Sequence, residues 1–198
     1  PRRDAPLVVD GKLDDWGDAW LPMPASPLVL GPAEDWKGPT DAGVTIQAAY
    51  DDNFLYLAAR VEDEQLLDEG DGIEWRVDTR PLLARADDTR LRGGAYRISV
   101  TAPDAKGKWT ARVSGFARGR VFEGMKDAAV RRAGGYDVEV ALPLRFITAN
   151  QSDWQSLQLT AIVEDTDEAG KKPVRVVWRG SNQLDERNTN YGQFVRQP

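Results

Sequence analysis

The sequence predicts an all-β fold, an antiparallel β-sandwich of jelly-roll type with long loops and one or two short helical turns. The strongest indication is segment 44–61, where two alternating apolar runs flank Asp51-Asp52-Asn53, a pattern typical of a β-hairpin with an acidic turn. Further segments repeat the period of two that a half-buried strand requires. They cover 94–101, 110–116, 136–142, 157–163 and 174–178. Eight or nine strands of this kind suffice for two packed sheets.

The elements between these strands are predicted from turn and helix signals. Residues 7–11 predict a short strand closed by a turn, and residues 13–16 predict a helical turn with acidic residues at its start. Segment 21–43 is rich in Pro and Gly, which predicts an irregular stretch. We expect a short helix after Pro143 and a solvated excursion at 81–93, where Arg and Asp are frequent.

The residues that face inward on the predicted strands indicate the core. Side chains at alternate positions on the inward face are apolar and large enough to fill the space between two sheets. The residues expected to be buried there are Ile46, Tyr50, Leu55, Leu57, Ile73, Trp75, Ile98, Val138, Val140, Leu159 and Trp178. Trp16 and Trp20 lie outside this set and are expected to form a hydrophobic plug near the N-terminus.

Composition restricts the domain organisation and the function. No linker, repeat or low-complexity segment interrupts the 198 residues, so residues 1–198 are expected to form a single domain. Because the chain starts at Pro1, we expect it to be a domain excised from a larger protein, and we expect a monomer. The apolar runs are strand length, well short of the roughly 20 residues that span a bilayer. The net charge of -6 disfavours nucleic acid and anionic membranes as partners.

Histidine and cysteine are both absent. This excludes Ser-His-Asp and Cys-His catalysis, zinc sites built from His or Cys, and haem held by His. Catalysis would have to depend on carboxylates, Lys, Tyr or metal-bound water, and no catalytic constellation of these groups is evident. The sequence therefore predicts a protein that is not an enzyme.

Alternation along 71–78 places Glu74 and Arg76 on the face opposite Trp75, and Arg97 shares that outer phase on the next predicted strand. A charged face on a packed sheet is a candidate ligand surface. Two interpretations remain open for the outward arginines, which include Arg60 and Arg112. They form cross-strand ion pairs on a solvated face, or they bind an acidic glycan through bidentate guanidinium contacts.

Several short motifs occur in an order that resembles the family 9 carbohydrate-binding modules. They are Val9-Asp10-Gly11-Lys12-Leu13-Asp14-Asp15-Trp16, Ala49-Tyr50-Asp51-Asp52-Asn53-Phe54-Leu55-Tyr56-Leu57, Val61-Glu62-Asp63, Asp71-Gly72-Ile73-Glu74, the segment 135–143, Glu164-Asp165, Trp178 and Tyr191-Gly192. The resemblance covers nearly the whole chain. It implies a non-catalytic sandwich attached to secreted polysaccharide-degrading enzymes, and hence an extracellular or periplasmic location, a glycan ligand and other domains of a parent chain as partners.

The resemblance also implies particular site residues. Glu74 and Arg97 match the family carboxylate and arginine that hydrogen-bond sugar hydroxyls, and Arg76 lies beside them. The family's two stacking tryptophans are missing, because 67–70 and 185–190 contain no aromatic residue. Trp36 and Trp109, both in polar loops, are the candidate replacements, although each could instead cover a sheet edge.

Structural calcium is a further implication of the resemblance. Acidic turns supply the oxygen ligands that calcium prefers. The candidate ligands are Asp10, Asp14 and Asp15, with further acidic groups at 51–52 and 165–168.

Three other functions compete with sugar binding. The absent tryptophan pair favours a structural or protein-contacting sandwich that has lost sugar binding. A haem-binding relative would need an unusual iron ligand pair such as Met125 with a lysine. A glycosidase would need two carboxyls roughly 5 to 9.5 Å apart across a cleft.

Overall fold

A computed structural model describes residues 1–115, 123–183 and 185–197. It shows two antiparallel β-sheets packed face to face, as predicted. The predicted strand 110–116 is present as Ala111–Gly115, and its last residue, Phe116, lies outside the described residues. Within the described residues, no helix is long and apolar enough to cross a membrane.

The first sheet has the strand order β1-β3-β4-β9-β8. Its strands are β1 (Leu21–Pro22), β3 (Gly43–Tyr50), β4 (Phe54–Glu62), β8 (Lys126–Arg132) and β9 (Gly135–Pro143). The β3–β4 hairpin pairs Tyr50 with Leu55, and the Asp51 carboxylate accepts the backbone N–H groups of Asn53 and Phe54, both at 2.7 Å. These bonds fix the acidic turn, and with it the register of the hairpin.

The second sheet has the order β2-β11-β10-β5-β6-β7. Its strands are β2 (Leu28–Leu30), β5 (Gly72–Asp78), β6 (Ala95–Thr101), β7 (Ala111–Gly115), β10 (Ser156–Asp165), β11 (Val174–Val177) and β12 (Gly192–Val195). Strand β10 is central: its second half pairs with β11 and its first half with β12. Strands β11 and β12 therefore pair in succession with the same edge of β10.

The helical elements are short. A 3-10 turn covers Ala33–Asp35, α1 covers Leu82–Asp87, and α2 covers Arg145–Thr148. The last of these confirms the helix expected after Pro143.

The core between the sheets contains all eleven residues that strand alternation assigned to it. Trp75, Ile98 and Leu159 are completely inaccessible to solvent. Since a slip of one residue would turn every side chain of a strand to the opposite face, this agreement confirms the strand phases and leaves Glu74, Arg76 and Arg97 on the outer face.

A second apolar cluster covers the outer face of the first sheet. Trp16 is buried against Tyr56 and Ala58, and its indole Nε1–H donates to Glu139 Oε1 at 2.6 Å. Trp20 packs at the edge of the cluster, with its ring 6.1 Å from that of Trp16. The expected hydrophobic plug is therefore confirmed.

Several expectations about local structure were wrong. Residues 7–11 and 13–16 form no strand or helix, because contacts with the first sheet hold them: Glu139 accepts the N–H groups of Asp10 and Gly11 at 3.0 and 2.6 Å. Segment 21–43 contains β1, β2 and the 3-10 turn, since each short strand extends the edge of a sheet. The excursion 81–93 contains α1, whose Arg85 is buried and donates to Ser156.

Candidate functional site

The outer face of the second sheet brings polar side chains from four strands together. Arg76 of β5 lies opposite Arg97 of β6 on one side and Thr160 of β10 on the other. Glu74, two residues earlier on β5, lies opposite Ser99 of β6. Residues that lie directly opposite each other on neighbouring strands project to the same side of a sheet, so these side chains share one face. Arg175 of β11 and Glu164 of β10 extend the polar row.

Glu74 is the central carboxylate of this face. Its Oε1 accepts a hydrogen bond from Arg76 Nε at 2.6 Å, and its Oε2 lies 3.1 Å from Arg97 Nε. Glu74 and Arg76 are 7% and 1% exposed, whereas 37% of the Arg97 side chain is exposed. The two guanidiniums hold the buried Glu74 carboxylate in a fixed position, and Arg97 is the most exposed of the three side chains.

Asp185, from the segment between β11 and β12, lies above these arginines. Its Oδ1 accepts from the terminal nitrogen of Arg76 at 2.7 Å, and its Oδ2 accepts from Arg175 at 3.2 Å. Partial burial raises the pKa of Asp185, but hydrogen bonds and charge from Arg175 and Arg76 outweigh that effect and bring the pKa to about 2. Asp185 is therefore ionised at neutral pH and completes an ionic network that sequence alternation did not reveal.

Glu164 is the third carboxylate of the network. Its Oε1 lies 3.5 Å from Arg175 Nε. Burial raises the pKa of Glu164, and the nearby negative charge of Glu74 adds to the effect. Glu164 accordingly takes up a proton more readily than a solvent-exposed glutamate does.

The expectation of an open, solvated face was wrong for its centre. Residues 185–191 cover it, and Asn188 anchors them by donating to Asp78 Oδ2 at 2.9 Å. The backbone N–H groups of Leu91 and Asn188 add bonds to Glu186 and Thr89. Tyr191 packs on the same face against Ile162 and Val177. The hydrogen bonds of Glu186 and Asn188 join segments more than ninety residues apart, so local pattern could not predict them.

Trp36 and Trp109 are both half-buried and pack against the core. The Trp36 indole donates to the carbonyl of Ala42 at 3.1 Å, and the Trp109 indole donates to Asp127 Oδ1 at 2.8 Å. The latter bond joins the β6–β7 hairpin of the second sheet to β8 of the first. The structure thus gives both tryptophans structural contacts, and their role in stacking on sugar stays a prediction.

An acidic cluster lies at one end of the sandwich. Asp63 follows β4, Asp71 precedes β5 and Asp165 ends β10, and each offers a carboxylate oxygen within 4.8 Å of the others. All three are buried, and Asp63 Oδ2 and Asp165 Oδ1 have no hydrogen-bond partner among the described residues. A second group shares Asp165 and adds Asp41 and Asp167. Lys37 contacts both of these aspartates.

The acidic cluster holds its protons unusually tightly. Burial raises the pKa of Asp63 to about 7, with a further contribution from the charge of Asp71. Burial likewise raises the pKa of Asp71 to about 6, and burial with the charge of Asp63 raises that of Asp165 to about 8. Buried carboxylates without a counter-charge resist ionisation, which is the electrostatic condition that a bound cation relieves.

The N-terminal acidic residues are arranged differently from this cluster. Asp10 accepts the backbone N–H of Lys12 at 2.9 Å, Asp15 accepts that of Val8 at 3.1 Å, and Asp14 is exposed. Of the described residues, the groups able to hold a metal contain none of these three. Asp165 and Asp167, in another of the acidic turns that the sequence indicated, do take part in such groups.

A two-sheet sandwich with fixed hydrogen-bonding groups on one outer face is an architecture that non-catalytic sugar-binding modules use. Comparison with known families agrees, since residues 9–195 match the family described as carbohydrate family 9 binding domain-like. The chain belongs to this family and is a carbohydrate-binding module, as its motif order indicated.

Known relatives carry the matching region within much longer chains. An endo-1,4-beta-xylanase A of Thermoanaerobacterium saccharolyticum and an exoglucanase XynX of Acetivibrio thermocellus are each 28% identical over 180 residues. Each match covers 86% of this chain and 14% of the relative.

Solved structures share the fold. A family 9 module from Caldicellulosiruptor kristjanssonii in complex with cellotriose has a TM-score of 0.70 at 15% identity, covering 98% of this chain and 90% of that one. The same kind of module in complex with glucose has a TM-score of 0.69 at 14% identity, covering 98% and 95%. At such identities the likeness shows the fold alone.

Proposed function

We propose that this module binds a polysaccharide or oligosaccharide on the outer face of its second sheet, through Glu74 and Arg97. The observation that supports this best is the pairing of these two residues at 3.1 Å, with Glu74 buried and Arg97 partly exposed. A carboxylate accepts two hydroxyl protons and a guanidinium donates to hydroxyl oxygens, so together they suit the alternating donors and acceptors of a sugar. Arg76 holds Glu74 in position through the hydrogen bond from its Nε to Glu74 Oε1.

Cello-oligosaccharide is the first ligand to test, because two family members of the same fold were solved with cellotriose and with glucose. We expect modest affinity, since the aromatic pair that stacks on sugar rings is missing. Trp36 and Trp109 remain the proposed stacking platforms. Their indole N–H groups are already bonded, so only the exposed part of each ring is open to a sugar.

We also propose that the acidic cluster of Asp63, Asp71 and Asp165 holds a structural calcium ion. The residues fit such an ion, because calcium prefers carboxylate oxygens and two of these oxygens are buried without a partner in the described part of the chain. The ion would neutralise the cluster and tie together the ends of β4, β5 and β10. It would supply no catalytic chemistry, and Asp10, Asp14 and Asp15 would not be its ligands.

The setting that we propose is an accessory domain of a longer, extracellular polysaccharide-degrading protein. The support is that both curated relatives named above contain the matching region as a small share of their length. Other domains of such a parent chain would be its covalent partners, and the module itself would be a monomer.

The binding proposal is tested by calorimetric titration of cellotriose into the parent protein and the Arg97→Ala variant. Arg97→Ala should lose binding and stay folded, because Arg76 still holds the buried Glu74 carboxylate at 2.6 Å. Its free energy of unfolding should fall by about 1 to 3 kcal/mol, since Glu74 loses one of its two guanidinium partners. The matched control is Arg60→Ala, a half-exposed arginine of the first sheet that pairs with Asp137 at 3.5 Å. It should bind as the parent does.

The second candidate function is a structural or protein-contacting module that has lost sugar binding. One specific observation favours it, namely the burial of Glu74 and Arg76 beneath residues 185–191. If the parent protein binds no glycan, or if Arg97→Ala binds as the parent does, this candidate becomes the better account.

A further inference from the structure

Asp185 is a carboxylate held by three arginines on the proposed sugar face. Besides the contacts with Arg76 and Arg175, its Oδ1 lies 3.9 Å from the terminal nitrogen of Arg97. Arg175 approaches both Asp185 oxygens, at 3.2 and 3.4 Å, which is the fork geometry that guanidinium groups adopt with carboxylates. The three arginines thus form a carboxylate-binding arrangement.

The three arginines lie deeper than the aspartate that they hold. The side chain of Asp185 is 60% exposed, against 1% for Arg76 and 21% for Arg175. An external anion could therefore approach from the side on which Asp185 sits. Displacing Asp185 breaks the contacts of its own exposed side chain. The main-chain hydrogen bonds of Glu186 and Asn188 and the bond from Asn188 to Asp78 can stay in place.

The charges of the network balance only when Asp185 is counted. Arg76, Arg97 and Arg175 face the carboxylates of Glu74, Glu164 and Asp185, so the cations exceed the anions by one when Asp185 leaves. Exposed Arg112, opposite Ser99 on the neighbouring strand, adds a further positive charge.

We infer that this face contains an anion subsite, occupied by Asp185 in the free protein, that takes the carboxylate of a uronic acid residue in a glycan. The inference rests on the proposed sugar site and names a ligand class for it. A uronic acid fits because its carboxylate can replace that of Asp185 on Arg175 and Arg76 while its hydroxyls reach Glu74 and Arg97.

Asp185 then acts as a tethered competitor. A group attached by a short linker is present at an effective concentration on the order of millimolar, so an external carboxylate has to compete with it. Neutral sugars have no carboxylate, so they do not compete with Asp185 for its ionic contacts with the arginines. Asp185 would thus set the selectivity between neutral and acidic glycans, and its removal should favour the acidic ones.

The test uses two ligands with the same backbone, cellotriose and the β-1,4-linked trimer of glucuronic acid, titrated into the parent protein, Asp185→Ala and Asp185→Asn. The glucuronate trimer should bind Asp185→Ala at least about tenfold more tightly than the parent, and added salt should weaken that binding. Cellotriose affinity should change less than about threefold. Arg175→Gln combined with Asp185→Ala should abolish the gain.

The control is Asp52→Ala, which removes an exposed carboxylate paired with Arg2 at 3.0 Å in the first sheet, and which should leave both affinities unchanged. Asp185→Asn keeps the size of the side chain and should show the same direction of change, which guards against a local collapse in the alanine variant. Normal cellotriose binding without any gain for glucuronate in either variant would overturn the inference and leave the sugar site standing. Failure of both ligands in all proteins would overturn both proposals.

Discussion

The acidic cluster makes the most specific prediction about stability, because three buried carboxylates come together and none of them forms an ion pair with another described residue. Asp63 illustrates the magnitude. Its pKa is raised from 3.8 to about 7, so at pH 7 its ionisation costs the folded state about 4 kcal/mol relative to the unfolded chain, at 1.36 kcal/mol for each pH unit.

The sign of the pH dependence follows from proton binding. The folded state holds these protons more tightly than the unfolded state, in which a carboxyl titrates near pH 4. In metal-free protein, the cluster's contribution to the free energy of unfolding is therefore most favourable below about pH 4. It falls as the pH rises, through the folded pKa values of about 6, 7 and 8.

Calcium should reverse this loss. Because the ion binds the ionised carboxylates of the folded state, it should raise the free energy of unfolding at pH 7.5 and have little effect at pH 5, where the cluster is protonated. The assay is urea denaturation followed by circular dichroism at pH 5, 6.5 and 7.5, in a chelator and in millimolar calcium.

Two matched variants sharpen this assay. Asp63→Asn keeps the acceptor that receives the backbone N–H of Gln65 at 2.8 Å, and it should stabilise the metal-free protein at pH 7.5 while weakening the response to calcium. Asp14→Asn alters an exposed carboxyl in the N-terminal acidic group and should do neither. The reasoning is refuted if calcium acts equally at pH 5 and 7.5, or if Asp14→Asn alone removes its effect.

Three further predictions concern the fold. Trp75→Ala should lower the free energy of unfolding by about 3 to 5 kcal/mol, because it deletes a large, fully buried aromatic, and a loss below 1 kcal/mol in urea titration would contradict its place in the core. Trp16→Phe removes the hydrogen bond to buried Glu139 and should cost about 1 to 3 kcal/mol, with Trp20→Phe at the edge of the plug as the milder control. Gly135→Ala would place a methyl group 2.0 Å from the carbonyl oxygen of Val61 at a φ of +142°, and should cost at least about 1 to 3 kcal/mol by the same assay. An unchanged midpoint would show that β9 can shift away from β4.

The sequence determined which face of each major strand is buried. Period-two alternation is a local property, and in a half-buried sheet it records directly which side chains avoid water, so Trp75, Ile98 and Val140 could be assigned to the core. The same alternation placed Glu74, Arg76 and Arg97 on the outer face. The order of the short motifs then indicated the family, because it samples segments spread over nearly the whole chain.

Only the tertiary structure decided what those outer residues contact. Asp185 meets Arg76 across more than a hundred residues, and the acidic cluster brings Asp63 and Asp71, between β4 and β5, together with Asp165 at the end of β10, more than ninety residues further along the chain. Such contacts depend on the paths of loops, which no periodic pattern specifies. Short edge strands such as β1 and β12 were missed for a related reason, since two to four residues carry too little alternation and their pairing energy comes from the neighbouring strand. Local hydrophobic pattern therefore fixed the sandwich, while long-range loop contacts determined which charges meet on its surface.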